Sequence, residues 1–128
     1  MKISIEDGDL IYIYLIDPKY IKSISTITNV NGYLIHDQPG NWLGFRVEKS
    51  QDDDRKPIEL PPFVKGKFLT VELEEYIDIL FVEGVNPDQY YEQECHLDVS
   101  NGAVVGIEII MFTWNPKGRN RWILPYKS

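Results

Sequence analysis

Cysteine is nearly missing from this chain: Cys95 stands alone among 128 residues. No disulfide can therefore form within it, and the reading is of a protein of a reducing compartment. Long apolar runs are missing too, since nowhere do the roughly 18 uncharged residues of a spanning helix occur together. Met1-Lys2-Ile3-Ser4-Ile5-Glu6-Asp7 turns acidic where an export signal would carry its apolar stretch, so the expected location is cytoplasmic, without membrane attachment. Basic residues are scarce, 13 against 20 acidic ones for a formal charge of -7. That balance excludes nucleic acid phosphate as the main partner and favours a basic one.

What the chain does contain is strand signal. Ile, Val, Tyr and Phe alternate with polar residues at period two over 2–6, 10–16, 31–36, 42–48, 67–73, 76–82, 94–99, 103–113 and 120–125, which predicts antiparallel sheets. Asn31-Gly32, Pro39-Gly40, Asn101-Gly102 and Pro116-Lys117-Gly118 supply turns that accept positive φ or preset a bend. A helix is expected over 18–27, where Asp17 can cap, Pro18 suits the first turn, and Ile21, Ile24 and Ile27 recur at helical spacing. The segment 72–83 fits both periods, through Leu73, Ile77 and Leu80 for a helix and Ile77, Ile79 and Phe81 for a strand. Strand is favoured. The class is mostly β (α+β), one domain over 1–128 with a polar connection from Ser50 to Pro62 between two β units, 1–50 and 63–128.

Those units echo one another. Gly40-Asn41-Trp42-Leu43-Gly44-Phe45-Arg46-Val47-Glu48 matches Gly102-Ala103-Val104-Val105-Gly106-Ile107-Glu108-Ile109-Ile110, and upstream Leu10–Leu15 matches Tyr76–Phe81. Each is a turn entering a strand, with Gly44 and Gly106 read as close-packing sites and not as phosphate cradles. The run Asp98-Val99-Ser100-Asn101-Gly102-Ala103-Val104-Val105-Gly106-Ile107-Glu108-Ile109 resembles the ending of a bacterial family of short β-rich domains of unknown function. The resemblance covers about a dozen residues and implies a packed hairpin without implying a reaction.

Chemistry-bearing residues are few. Cys95, His96 and Asp98 are close in sequence, but in a strand Cys95 points away from the other two, so they cannot converge on one ion. His36-Asp37 precedes the first Gly turn much as Leu97-Asp98 precedes the second, and a meeting of His36 with His96 is what a metal site would require. A solvent-facing His36 beside an Asp37 that bonds its own turn is the simpler expectation. No Gly-x-Ser-x-Gly elbow occurs. The expectation is a non-enzyme with no metal or other cofactor.

Charge placement says more. From Glu72 to Asp98 there are nine acidic residues and no lysine or arginine. Tyr76, Tyr90 and Tyr91 are interleaved with them, side chains that bury apolar area and keep a polar tip. The candidate partner-binding residues are Glu72, Glu74, Glu75, Asp88, Tyr90, Tyr91, Glu92 and Glu94, with Asp52-Asp53-Asp54 shaping the field. The last 16 residues are opposite in sign, with Lys117, Arg119, Arg121 and Lys127 and no acid.

Two functions follow from these observations. The first is an acidic protein-binding inhibitor, an immunity protein that occludes a basic toxin domain such as a nuclease. The second is a non-catalytic β domain that regulates, self-associates or holds a small ligand between its units, where some of its 16 aromatic residues would line a cavity.

Overall fold

A computed structural model describes residues 2–6, 10–49 and 60–110, with the side chains of Ile5, Glu6 and Ile110 left aside. The Asp52-Asp53-Asp54 loop, the expected strand 120–125 and the basic C-terminal segment lie outside these residues. Ten strands are described: β1 (Lys2–Glu6), β2 (Leu10–Tyr14), β3 (Ser25–Val30), β4 (Gly32–His36), β5 (Trp42–Glu48), β6 (Leu69–Glu72), β7 (Tyr76–Leu80), β8 (Gln89–Glu92), β9 (Cys95–Ser100) and β10 (Ala103–Ile110). They form two antiparallel five-stranded sheets, in the orders β1-β2-β10-β9-β3 and β6-β7-β5-β4-β8.

The mostly β reading holds, but the helix expected over 18–27 is reduced to one 3₁₀ turn, Pro18–Tyr20. The start signal operates as read: Asp17 accepts from the backbone N–H of Lys19 at 3.1 Å, with Pro18 in the first turn. Ile21, Ile24, Thr26 and Ile27 are β-branched and stiff at χ1, which weakens a helix and suits a pleated surface. Tertiary pairing then decides, because Ile27 lies opposite Leu97 and Thr26 opposite Asp98.

Two turn assignments separate. Asn101 and Gly102 both take positive φ, 52° and 76°, the pair a two-residue hairpin requires between β9 and β10. Asn31-Gly32 makes no hairpin. Asn29 takes the left-handed conformation instead, φ 57°, and the chain passes there from one sheet to the other.

The sheets share one core. Ile11, Ile13, Leu97, Ile107 and Ile109 of the first pack with Leu34, Phe45, Val47, Ile77 and Ile79 of the second. Trp42 and Phe81 meet edge to face at 4.8 Å, both fully buried, so large aromatic rings occupy the space between the sheets. Burying one such side chain contributes roughly 1.5–3 kcal/mol relative to leaving it in water.

The units expected at 1–50 and 63–128 do not build separate sheets. The first sheet takes β1–β3 from the N-terminal unit and β9–β10 from the C-terminal one, and the second takes β6–β8 and β4–β5. Each hairpin, β4–β5 and β9–β10, crosses into the sheet of the other unit and puts its second strand at the centre. The registers correspond: Ile13 faces Ile107 and Tyr12 faces Glu108, while Ile79 faces Phe45 and Asp78 faces Arg46. Both hairpins shift register at the matching place, between Val104 and Gly106 in one and between Trp42 and Gly44 in the other. By this pairing His36, opposite Trp42, corresponds to Val99, opposite Val104, and not to Leu97.

Candidate functional site

Alternation along β5 and β7 sends Phe45, Val47, Ile77 and Ile79 into the core and leaves Arg46 and Asp78 opposite one another on the outer face. Arg46 grips Asp78 with both arms of its fork, Nε to Oδ1 at 2.7 Å and a terminal nitrogen to Oδ2 at 2.9 Å. Two tyrosine rings flank the guanidinium, Tyr76 at 4.5 Å and Tyr90 at 4.3 Å. The planar cation matches both the carboxylate and the π faces, so one side chain draws β5, β7 and β8 together. Hydrogen bonding to Asp78 raises the pKa of the guanidinium further, and it stays charged.

Tyr33, directly opposite Arg46 on β4, meets Tyr76 edge to face at 6.2 Å and donates its hydroxyl to Glu48 at 3.2 Å. Burial and the Glu48 carboxylate push its phenol up to about 12. The outer face of the second sheet is thus an aromatic band, Tyr76, Tyr33 and Tyr90, around a neutralised cation.

The acidic residues singled out from the sequence lie at two opposite edges of this sheet, Glu72 on its core-facing side by its register with Ile77. Glu72 ends β6, and Glu74 and Glu75 form the exposed turn into β7. Glu72 pairs with Lys49 at 3.2 Å, and Lys49 also donates to the carbonyl of Leu73 at 2.8 Å. Asp88, Glu92 and Glu94 are exposed on or beside β8 at the other edge. Four strand spacings separate the edges, roughly 19 Å. The eight candidate residues are therefore brought into two groups, not one. The second group sits on and beside a short strand, β8, in which Tyr90 and Tyr91 are 41% and 48% exposed on opposite faces. Tyr90 joins the Arg46 band, whereas Tyr91 packs edge to face on His36 at 5.2 Å and donates its hydroxyl to Gln89.

His36 itself is buried and not solvent-facing, and burial lowers its pKa. Its Nδ1 has no hydrogen-bond partner among the described residues. Asp37 caps its own turn as read, accepting from the N–H of Gly40 at 3.0 Å and of Asn41 at 2.7 Å. Hydrogen bonds from Asn41 hold that carboxyl below its usual range.

His36 belongs to the second sheet and His96 to the first. Cys95 is buried in the core, where desolvation raises its thiol, while His96 and Asp98 occupy the opposite face of β9. Among the described residues, no three His, Cys, Asp or Glu side chains are grouped to hold a metal ion.

Sequence reasoning passed over two constellations. One is Arg46–Asp78, whose signal was a lone charge between apolar residues at the middle of each of two strands. The other is on the outer face of the first sheet, where buried Asp98 accepts from the Tyr12 hydroxyl and from Thr26 Oγ1 at 2.9 Å. Burial, with Asp98 next to it, raises the Tyr12 phenol well above its ordinary value. Tyr12 stacks on Tyr14 at 4.0 Å and lies over Gly106, where a Cβ would come within 2.8 Å of its ring. His96 accepts at Nδ1 from the N–H of Asn29 at 3.1 Å, which places the proton of the neutral ring on Nε2.

No protein-family model matches the chain, and no similar protein was found among curated proteins or solved structures.

Proposed function

We propose that this protein is a non-catalytic inhibitor that binds a basic protein domain and occludes it, as an immunity protein does with a toxic nuclease. The observation that carries this reading is the band of Tyr76, Tyr33 and Tyr90 with Glu74 and Glu75 in the turn at one edge and Asp88, Glu92 and Glu94 at the other. Tyrosine gives apolar contact area at low entropic cost, and carboxylates around it attract a cationic partner and reject an anionic one. Arg46 adds no free positive charge to that face, because Asp78 neutralises it. From Phe68 to Pro116 the sequence has no lysine or arginine, and two of the acids there, Glu72 and Asp78, are matched in space by Lys49 and Arg46.

The test is capture of partners from a lysate of the source organism at low and high salt, with the purified protein as bait. The expected result is a basic, nuclease-like domain whose activity the protein blocks, retained at low salt and lost when Asp88, Glu92 and Glu94 are changed to lysine. A captured domain that still binds after this charge reversal, or whose activity is unaffected, refutes the reading.

A further inference from the structure

The edges of the two sheets are not alike. β3 is interrupted by a register shift between Ile27 and Val30, with Asn29 in the left-handed conformation, a device that spoils an edge for pairing. β6 ends where Lys49 reaches across to Glu72 and to the carbonyl of Leu73. β1 opens with Lys2. β8 has none of these protections. Gln89–Glu92 carries no lysine, proline or glycine and pairs with β4 without a register shift.

Its backbone orientation can be read from one bond. Gln93 donates its N–H to the carbonyl of Gly32 at 2.8 Å, toward β4. By the alternation of an antiparallel ladder, the N–H and C=O of Tyr91 and Gln89 also face β4, and those of Tyr90 and Glu92 face outward; the alternation ends at Asp88, whose N–H turns back to the carbonyl of His36 at 2.8 Å. Among the described residues no strand lies on that side, because β8 is last in its sheet. Two residues thus offer donor, acceptor, donor and acceptor in a row, with Tyr90 and Tyr91 exposed above and below.

We infer that β8 is a strand-addition edge that takes an extended, cationic segment of the partner protein. This rests on the inhibitor reading and assigns it a contact. Main-chain hydrogen bonds supply affinity in such additions and side-chain chemistry supplies selection. Asp88, Glu92 and Glu94 select for lysine or arginine at alternate positions of the incoming strand. They select equally against a second copy of this chain, since pairing β8 with itself sets carboxylates beside carboxylates.

The experiment uses the full chain labelled for NMR at low salt, with a capped heptapeptide alternating lysine and valine as probe. Two further peptides serve as controls, the same sequence methylated on its outward-bonding backbone nitrogens and an alternating glutamate–valine analogue. The lysine peptide should shift the amides of Tyr90 and Glu92 and slow their hydrogen exchange. Backbone methylation should weaken binding about tenfold, the equivalent of a lost hydrogen bond or two. Glu92→Pro removes one outward N–H as well as the carboxylate and should weaken binding further than Glu92→Gln, which keeps that N–H and loses only the charge. The methylated peptide needs no variant protein, so misfolding of Glu92→Pro leaves the test intact. Equal binding of the methylated peptide overturns strand addition but leaves the acidic-face reading standing. Equal binding of the glutamate peptide overturns the cationic occupant. Protection of the same amides by dimerisation alone gives the edge to a second copy and also overturns the proposal. If no peptide binds but a basic domain is captured and inhibited, strand addition fails alone; if neither occurs, both fail.

Discussion

Arg46 and Asp78 face each other across the centre of a sheet in a two-pronged ion pair, their side chains only 18% and 11% exposed. A pair this sheltered is screened little by salt, and breaking it strands a charge. Asp78→Ala should lower unfolding free energy by about 2–4 kcal/mol in urea titrations. The double change Arg46→Met with Asp78→Leu should restore most of the loss, because an apolar pair of similar volume removes both desolvation costs. A double variant no more stable than the single one would show that the fork organises the tyrosine band and does more than satisfy its own charges.

Asp98 depends on two hydroxyl donors, Tyr12 and Thr26, at a buried position. Tyr12→Phe should cost about 1–3 kcal/mol by leaving one carboxylate oxygen unsatisfied. Thr26→Val should cost less than Tyr12→Phe, since Thr26 is exposed and water can replace it. Equal losses, or none for Tyr12→Phe, would contradict the role assigned to the Tyr12 hydroxyl.

His36 makes the stability of the fold depend on pH in the mildly acidic range. Its folded pKa lies below the unfolded value of about 6.5 because burial disfavours the charged ring. Between the two values the unfolded chain binds more protons than the folded one, so stability rises with pH there. The contribution is complete above about pH 6.5 and is lost as pH falls toward the folded pKa, below which the loss levels off. Urea midpoints measured from pH 7.5 to 5 should fall, and His36→Leu should flatten that part of the curve. An unchanged slope in His36→Leu would assign the dependence to other groups.

Gly44 permits the close approach of β5 and β7, since a Cβ there would collide with the backbone carbonyl of Ile79. Backbone cannot step aside as a side-chain tip can. Gly44→Ala should destabilise by about 3 kcal/mol or prevent folding. At the equivalent Gly106→Ala the nearest atoms belong to the Tyr12 side chain, 2.8 Å from the added carbon, and the change should be milder. Thermal melts that rank the two in the reverse order would count against this account.

The strands were legible because most carry their own period-two pattern: β5 lies where the pattern puts it, and β7 took the strand reading over the helical one. Gly44 and Gly106 were legible as close-packing sites because glycine inside a strand has few other uses. β3 was hidden because its edge position exposes Ser25, Thr26, Thr28 and Asn29, which leaves no alternation to read. β8 was hidden for a related reason, since four residues with both tyrosines half-exposed resemble a loop. The acidity of the segment 72–98 was plain, but its division between two edges depends on which strand neighbours which. That order is set by the exchange of hairpins between sheets, and no local signal encodes it.

The exchange also sets the order of events during synthesis. Ile11 of β2 emerges early from the ribosome, yet its partner Ile109 belongs to one of the last described strands. Among the described strands β2 therefore waits with one side unpaired, and β3 without a sheet partner, until the β9–β10 hairpin fills the space between them. The other sheet can close sooner, from β4 to β8, which are consecutive. Completion of the first sheet therefore requires the β9–β10 hairpin, and a chain ending before Ala103 contains every strand of one layer but lacks the central strand of the other.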